Sequence, residues 1–229
     1  MHQKADRTVD KSQKIVGVIQ LKGGAGRSTI ATNLAGYFAT KGKRVALIDC
    51  DMPQGTAAAW GAVRATENRA AVTIATAATH QELVQQAKEL ETLHDVLILD
   101  CPPRVAEVTK AAIILSDLCL VPLATSVADV WATSDLVPTI KAAQAIKKTP
   151  VRIIWNRYRQ ATKLAQELSE EAEKELGLPS MKTRLGHRVA YAEAMARGLT
   201  VTEWSDQKAA EELAELASEL SKLLKQAKT

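Results

Sequence analysis

Three glycines and two hydroxyl side chains follow an apolar run near the amino terminus, in the stretch KGGAGRST at positions 22–29. Glycines let successive backbone N–H groups converge on phosphate oxygens, and the positive end of a following helix strengthens binding. Ser28 is placed to give a hydroxyl to Mg²⁺, as the serine or threonine of a phosphate-binding loop does. Leu21 and Arg27, however, break the usual GxxxxGKS pattern. The stretch predicts a modified phosphate-binding loop, with a glycine turn that binds no nucleotide as the alternative.

Carboxylates follow two later apolar runs, Asp49 and Asp51 in DCDMPQG and Asp100 at the end of VLILD. Residues at i and i+2 of an extended chain point to the same side, so Asp49 and Asp51 are expected to face whatever lies beyond the strand. One carboxylate can hold the water shell of a metal ion while the other orients an attacking water; an acidic turn is the alternative. A buried strand would deliver Asp100 to the phosphates. Together with the glycine loop, these carboxylates indicate a nucleotide-hydrolysing site.

Alternating strand-like and helix-like segments must position these side chains. The expected strands are 14–21, 44–49, 72–75, 95–100, 118–123 and 151–156. The expected helices are 28–40, 56–64, 79–93, 105–115, 127–148 with an interruption at Pro138, 162–176, 189–197 and 206–225. This alternation predicts a single-domain α/β fold, in which a mostly parallel twisted sheet carries helices on both faces. Ligands bind at the carboxyl ends of the strands in such sheets, where the loop and the carboxylates would lie.

The charge of the chain is unevenly distributed along its 229 residues. The formal net charge is +4, yet residues 141–197 alone hold 12 basic and 6 acidic residues. Such an excess is a possible footprint for a polyanion, and an ordinary solvated helical surface is the alternative. No apolar run reaches the roughly 18–20 residues that span a bilayer, and three cysteines without CxxC spacing suit reduced thiols. We therefore expect a cytoplasmic protein without a membrane segment.

Six motifs, in this order, resemble the deviant Walker-A ATPases of the ParA/MinD family, and are most similar to the small ParF-type ParA partition proteins. The motifs are KGGAGRST, LIDCDMPQG, HDVLILDCPPR, LVPLATSVADVWAT, IIWNR and GHRVAYAEAMARGLTVTEW. The resemblance implies the deviant P-loop NTPase fold. It covers roughly residues 14–225. We therefore expect a ParA-like ATPase domain over 14–229, preceded by a polar extension of residues 1–13. The long DNA-reading amino-terminal region of larger ParA proteins is expected to be absent.

The resemblance implies a role for each matching residue. Lys22 corresponds to the signature lysine, which reaches phosphates bound by the other subunit of an ATP-sandwich homodimer. Asp51 corresponds to the carboxylate that orients the hydrolytic water, and Asp49 supports it as a second catalytic candidate. Asn156 corresponds to an adenine contact, with a strand-end turn residue as the alternative. The implied nucleotide-binding set is Lys22, Gly23, Gly24, Ala25, Gly26, Arg27, Ser28, Thr29 and Asn156. The implied Mg²⁺ set is Ser28, Asp49, Asp51 and Asp100.

Two residues depart from the family's pattern. Arg27 stands where the family has the lysine that contacts the β- and γ-phosphates, and a planar guanidinium is not interchangeable with a compact ammonium there. We therefore expect ATP binding with slow, partner-stimulated hydrolysis. Met52 lies between Asp51 and Pro53, where the family usually reads Asp-Pro-Gln directly. This extra residue leaves the choice between Asp49 and Asp51 open.

The resemblance further implies a ParA-type switch that dimerises on ATP and Mg²⁺, binds DNA nonspecifically and positions a plasmid, a chromosome or another cargo on the nucleoid. Its expected partner is a small ParB-like centromere-binding or adaptor protein. The candidate DNA-binding residues are Arg157, Arg159, Lys163, Arg184, Arg188 and Arg197.

The alternatives are a MinD-like membrane-associated regulator and an ATP-dependent metabolic enzyme of the same fold. A membrane-surface helix would carry Lys and Arg along its polar face. The last helix instead has an apolar stripe that is expected to dock on the sheet. The stripe comprises Ala210, Leu213, Leu216, Ala217, Leu220, Leu223 and Leu224. Lys22 argues against the metabolic enzyme, because a lysine that reaches a neighbouring subunit suits a nucleotide-dependent dimer.

Overall fold

The computed structural model describes residues 13–103, 105–158 and 163–226, with residues 163–166 described by their backbone alone. A seven-stranded sheet lies at its centre, in the order β3-β2-β4-β1-β5-β6-β7. All six pairs of neighbouring strands are parallel. The strands are β1 (Lys14–Val18), β2 (Val45–Asp49), β3 (Thr73–Thr76), β4 (Val96–Asp100), β5 (Leu118–Leu123), β6 (Val151–Tyr158) and β7 (Ser180–Gly186).

Helices cover both faces of this sheet. They are α1 (Arg27–Thr40), α2 (Thr56–Thr66), α3 (His80–Leu90), α4 (Ala106–Leu115), α5 (Val127–Ser134), α6 (Val137–Gln144), α7 (Lys163–Leu176), α8 (Ala190–Met195) and α9 (Gln207–Gln226), with a 3₁₀ turn at Val201–Glu203. One apolar core joins the sheet to α1, α2, α8 and α9. A second core joins it to α3 through α7. The predicted α/β fold with a parallel sheet and helices on both faces is confirmed.

The register of the central strands sets where the functional loops begin. Every residue of β2, β4 and β5 is buried, as expected for strands covered on both faces. Asp49 lies opposite Asp100, and Asp100 lies opposite Val18 at the end of β1. The glycine loop and the segments after β2 and β4 therefore leave the sheet at the same level. Their side chains meet at the carboxyl edge, where parallel sheets bind ligands.

Strand β7 is the element that the sequence prediction missed. It buries every second residue, whereas the residues between them are exposed or half-buried. The exposed ones include Lys182 and Arg184, which interrupt the apolar run and conceal the strand in the sequence. Apart from β5, the sequence-based bounds of the other elements differ from the structure by one or a few residues. For example, β1 ends at Val18 rather than at residue 21, and α3 ends at Leu90 rather than at residue 93.

Carboxylates of α9 occupy the outer edge of β7, the last strand in the sheet order. Glu219 accepts hydrogen bonds from the backbone N–H groups of Lys182 and Thr183, at 2.8 and 2.9 Å. Glu212 accepts one from Gly186 at 2.9 Å. An unpaired strand edge invites pairing with other chains, so these contacts both attach α9 and block such pairing.

Two predicted helices need correction. The segment 127–148 is interrupted as expected and forms α5 and α6, but the break lies at residues 135–136, Pro138 lies in the first turn of α6, and α6 ends at Gln144. Proline suits that position because the first turn does not use its missing N–H. In α9 the apolar stripe docks on the sheet as expected, but Ala209 is its buried first member in place of Ala210. Within the described part of the chain, no helix is long and apolar enough to cross a membrane.

Candidate functional site

The loop between β1 and α1 turns on glycines with a left-handed backbone. Gly26 is the N-cap of α1, with φ at 96°, and Gly24 has φ at 77°. Such values favour glycine, because a Cβ is strained there. A Cβ at Gly26 would also overlap Nδ2 of Asn156. The loop therefore keeps its backbone close to β6 and directs the start of α1 towards the carboxyl edge of the sheet, as an anion-binding loop requires.

Arg27 lies inside this loop, with only 6% of its side chain exposed. Its Nη1 donates to the carbonyl oxygens of Gln20 and Lys22, both at 2.7 Å. Its Nη2 lies 3.4 Å from Oδ2 of Asp51. Nε of Arg27 is buried and has no hydrogen-bond partner among the described residues. The guanidinium thus holds the loop in its turn and has one buried donor without a partner in the described part of the chain.

Lys22 contacts its own chain. Its Nζ donates to Oδ1 of Asp129 on α5, and its side chain is 38% exposed. The resemblance assigns this lysine to phosphates of a second subunit. In the structure it is held by a carboxylate 107 positions later in the sequence. Asp129 is therefore a site residue that the sequence reasoning missed, although it lies in the quoted motif LVPLATSVADVWAT.

The two carboxylates after β2 have different surroundings. Asp49 is fully buried, and its oxygens accept hydrogen bonds from the backbone N–H groups of Asp51 at 3.0 Å and Ala58 at 2.8 Å. It therefore fixes the first turn of α2. Asp51 is partly exposed and faces Arg27. The arrangement favours Asp51 over Asp49 as the carboxylate that reaches a bound molecule, and the expectation that both side chains face a ligand stays a prediction.

Asp100 is a buried carboxylate whose charge is only partly compensated. The Ser28 hydroxyl lies close to it, but neither carboxylate oxygen has a partner with regular hydrogen-bond geometry in the described part of the chain. Burial raises its pKa to about 7; the nearby Ser28 hydroxyl and Arg27 oppose this shift, and Asp49 and Asp51 add to it. An uncompensated buried carboxylate is costly unless a cation or proton accompanies it.

The surroundings of Asp100 fit a hard cation such as Mg²⁺, which prefers carboxylate, hydroxyl and water oxygens. Ser28, in the first turn of α1, lies next to it. Among the described residues, however, no three His, Cys, Asp or Glu side chains are grouped to hold a metal ion. A magnesium ion here would therefore depend on Ser28, water and phosphate oxygens, as Mg²⁺ usually does.

The cysteines beside the carboxylates are packing residues. Cys50, Cys101 and Cys119 are buried free thiols. Burial raises the pKa of Cys50 and Cys101 well above the usual thiol value, and raises that of Cys119 to about 12. Since the thiolate is the reactive form, these side chains are poor nucleophiles.

Asn156, the candidate adenine contact, lies against the glycine loop. Its Nδ2 donates to the carbonyl oxygen of Ala25 at 2.9 Å, and its Oδ1 accepts from the backbone N–H of Arg157 at 2.9 Å. Arg157 has φ at 52°, the one positive value outside glycine in the described ranges. This strained strand end brings β6 to the loop. Asn156 therefore positions the loop backbone, and its contact with a base stays a prediction.

Two of the candidate DNA-binding arginines, Arg184 and Arg188, already have partners within the chain. Arg184 stacks on the ring of Tyr158, with its Cζ 4.4 Å from the ring centroid, and donates to the Tyr158 hydroxyl. Arg188 pairs with Glu212, at 2.6 Å between Nη2 and Oε1. These four side chains line a surface cavity of about 560 Å³ beside β7. Glu212 offsets part of the positive charge that the sequence suggested there.

The other candidates of this set have different surroundings. Arg197 stacks on Trp204, with its Cζ 4.6 Å from the ring centroid, and Trp204 lines a second surface cavity together with Arg188. Arg157 is exposed at the end of β6. Arg159 and the side chain of Lys163 lie outside the described residues. The structure therefore brings Arg184 and Arg188 into one cavity and places the stacking partner of Arg197 in the neighbouring one.

The comparisons with known proteins agree with this geometry. The family described as the CobQ/CobB/MinD/ParA nucleotide binding domain matches residues 16–201. The chain belongs to this family. The carboxysome distribution protein A of Halothiobacillus neapolitanus is 29% identical over 209 residues, which cover 90% of this chain and 95% of that protein. The chromosome-partitioning ATPase Soj of Thermus thermophilus is 26% identical and covers 82% of this chain and 87% of its own.

A solved structure of similar fold is the ATP complex of a variant of Cyanothece McdA. It superposes with a TM-score of 0.77 at 14% sequence identity, over 92% of this chain and 97% of the other. At that identity the likeness concerns the fold. The sequence resemblance to the ParA/MinD family is thus confirmed by the family match and by the fold.

Proposed function

We propose that this protein is a ParA-type ATPase, which dimerises on ATP and Mg²⁺, binds DNA nonspecifically and positions a cargo inside the cell. The observation that carries the proposal is the pairing of unsatisfied groups at the carboxyl edge of the sheet. Nε of Arg27 offers a donor to an anion, and Asp100 offers two oxygens to a cation. A nucleoside triphosphate with its magnesium ion supplies both the anion and the cation.

The residues of the site have different proposed roles. Arg27 and the N–H groups at the start of α1 bind the phosphates, while Ser28 and Asp100 hold the water shell of the metal ion. Bound Mg²⁺ would neutralise charge on the phosphate oxygens. Asp51 orients the attacking water, because it is the partly exposed carboxylate of the pair after β2.

Dimerisation requires Lys22 to leave Asp129. In the proposed cycle the lysine of each subunit moves to the phosphates bound by the other subunit, so nucleotide holds the two copies together. Electrostatics favours this exchange, because a triphosphate carries more negative charge than one carboxylate. Hydrolysis and release of phosphate weaken that attraction, and Lys22 returns to Asp129.

DNA binding is proposed for the surface around the ends of β6 and β7. Arg157 is exposed there, and Arg184 and Arg188 lie nearby although they are engaged with Tyr158 and Glu212. A single copy would bind weakly. A dimer presents two such surfaces and gains affinity by joining them, without any new contact.

The relatives support the proposed cargo and partner. Their names refer to carboxysome distribution and to chromosome partitioning, which are both tasks of positioning large objects. We infer a small ParB-like centromere-binding or adaptor protein that stimulates hydrolysis and links the ATPase to its cargo, in the cytoplasm and on the nucleoid. A membrane-bound role is less favoured, because the apolar stripe of α9 packs into the core of the protein.

Sedimentation velocity with Mg²⁺ and a nonhydrolysable ATP analogue tests the proposal. The parent protein should sediment as a dimer with the analogue and as a monomer without it. Lys22→Ala should remain a monomer while still binding the analogue. Lys43→Ala, which alters an exposed lysine at the amino end of β2, serves as the matched control and should dimerise normally. A parent protein that stays monomeric, or a Lys22→Ala variant that dimerises fully, would refute the sandwich dimer.

A further inference from the structure

Gln20 is a buried amide whose hydrogen-bonding groups are all used. It follows β1 and has 1% of its surface exposed. Its Oε1 accepts from the backbone N–H groups of Leu21 at 2.8 Å and Lys22 at 3.3 Å. Its Nε2 donates to the carbonyl oxygen of Pro122 at 3.1 Å and to Oγ1 of Thr133 at 2.9 Å. The side chain thus joins the start of the glycine loop to β5 and α5.

These side-chain hydrogen bonds take the place of backbone pairing with β5, which ends before Leu21. The last ladder contact of this segment is from the N–H of Ile19 to the carbonyl oxygen of Leu120 at 2.9 Å. Beyond that point the chain leaves β5, and the N–H groups of Leu21 and Lys22 turn to the Gln20 side chain. A buried N–H group needs a partner, so this amide determines the path of the loop at its first turn.

Thr133 closes a ring of contacts around Lys22. Its hydroxyl, which accepts from Gln20, donates to the carbonyl oxygen of Asp129 one helical turn earlier, at 2.7 Å. The carboxylate of Asp129 in turn accepts from Nζ of Lys22. The backbone N–H of Lys22 is therefore linked through Gln20 and Thr133 to the same helix that holds its side chain. Thr133 is itself fully buried.

We propose that Gln20 and Thr133 are a positioning pair, which fixes the backbone of Lys22 relative to α5 and so sets the direction in which this lysine can reach. This proposal rests on the proposed function in one respect: it takes the target of Lys22 to be a phosphate bound by a second copy of the chain. A long flexible side chain reaches a target reproducibly only when its backbone is fixed, and misplacement by about 1 Å can be costly in such sites. The Thr133 hydroxyl accepts from Gln20 and donates to Asp129, and within the described residues it makes no hydrogen bond to the glycines of the loop, so its effect is separable from that of the phosphate-binding groups.

Hydrogen exchange of the nucleotide-free protein tests the pair directly. Thr133→Val keeps the shape of the side chain and removes the hydroxyl. We expect the amides of residues 19–24 to exchange about tenfold faster in this variant, since one lost hydrogen bond corresponds to roughly that factor. Thr133→Ser should restore the parent rate. Thr109→Val is the matched control, because the Thr109 hydroxyl is also buried but has no hydrogen-bond partner in the described part of the chain. Unchanged exchange in Thr133→Val would overturn the proposal.

The second measurement compares nucleotide affinity with dimer affinity. In Thr133→Val the affinity of the monomer for a fluorescent ATP analogue should stay within about twofold of the parent. The affinity of the ATP-dependent dimer should fall about tenfold in the same variant. Thr133→Ser should restore the dimer affinity. Equal losses in both affinities would indicate a purely structural role. Thr133→Ala removes the same hydroxyl and provides a second variant if Thr133→Val does not fold. If the parent protein does not dimerise with ATP, the proposed function fails, and the exchange rates still decide whether the pair positions the loop.

Discussion

Arg27 and Asp51 face each other at the mouth of the glycine loop, with Nη2 of the arginine 3.4 Å from Oδ2 of the aspartate. The arginine is almost fully buried and the aspartate is partly exposed. The residue assigned to the phosphates and the residue assigned to the water are therefore direct neighbours. Because Arg27 also binds two carbonyl oxygens of the loop, its guanidinium has only limited freedom to follow a phosphate during hydrolysis.

Arg27→Lys should raise the rate of ATP hydrolysis several-fold. A lysine is a compact charge on a flexible stem, so it can approach the transferred phosphate without opening the contacts that hold the guanidinium. Release of inorganic phosphate under single-turnover conditions measures the rate. Arg27→Ala, which removes the charge altogether, should lower nucleotide affinity and provides the comparison. An unchanged rate in Arg27→Lys would mean that the arginine does not limit turnover.

Asp51→Ala should slow hydrolysis by about 10²–10⁴-fold, the usual range for a group that positions or activates water, while ATP binding is largely retained. The reason is that Asp51 is the carboxylate after β2 that faces the loop. The rate is measured at saturating ATP, and the affinity by equilibrium titration of the same preparation.

Asp49→Asn is the contrasting variant at this strand end. Asp49 holds the backbone N–H groups of Asp51 and Ala58. Its amide variant should therefore lower the thermal midpoint, because an amide presents only one acceptor to these two donors. A selective loss of hydrolysis in Asp49→Asn, with normal activity in Asp51→Ala, would reverse the assignment of the two carboxylates.

The sequence predicts the sheet well where strands are continuously apolar. The bounds of β5 agree to the residue, because its six buried residues follow the polar Asp117 and end before the partly exposed Ala124 and Thr125. Strand β7 is missed, since exposed Lys182 and Arg184 alternate with its buried residues and give it no apolar run. Periodicity finds strands that are buried on both faces more readily than a strand at the edge of a sheet.

The site is predicted in its residue types but not in its contacts. The glycine loop, Asp51 and Asp100 can be read from the sequence, because each directly follows or ends an apolar strand. The contact between Lys22 and Asp129 cannot, since it depends on β5 being the neighbour of β1 in the sheet. The use of Asp49 as a backbone cap likewise becomes visible only when the start of α2 is placed against β2.

Stability should depend on pH through the buried pair of Arg64 and Glu203. Nη1 of Arg64 lies 2.9 Å from Oε2 of Glu203, and Thr200 donates to the same carboxylate. Burial tends to raise the pKa of Glu203, but the hydrogen bonds from Arg64 and Thr200 outweigh it and hold the pKa below its ordinary value. A carboxylate with a lowered pKa stabilises the fold above its unfolded value of about 4.3. This stabilisation is lost as the pH falls through the lower, folded pKa.

Glu203→Gln tests this dependence. The variant leaves the Arg64 guanidinium buried without a counter-charge, and should lower the free energy of unfolding at pH 7 by about 3 kcal/mol. Urea denaturation of parent and variant between pH 7 and pH 3 measures the difference, which should shrink as Glu203 becomes protonated in the parent. A difference that stays constant over this range would show that the stabilisation does not come from the charge of Glu203.

The last prediction concerns DNA. Arg184→Ala combined with Arg188→Ala should weaken binding to all duplexes alike, because contacts with phosphates carry no base information. Alanine is preferred to glutamate here, since a new carboxylate beside Glu212 would destabilise α9 for reasons unrelated to DNA. The control variant combines Lys43→Ala with Lys88→Ala, two exposed lysines outside the basic segment of residues 141–197.

Fluorescence anisotropy on two duplexes of unrelated sequence, with ATP or ADP and across a salt series, measures this binding. The parent should bind both duplexes equally, more tightly with ATP than with ADP, and more weakly as salt rises. The double arginine variant should bind less tightly and show a shallower salt dependence, because fewer counterions are released. It should also retain ATP affinity, since neither arginine contacts the glycine loop. Binding that ignores salt, or that is absent with ATP at low salt, would contradict DNA as the surface on which this ATPase acts.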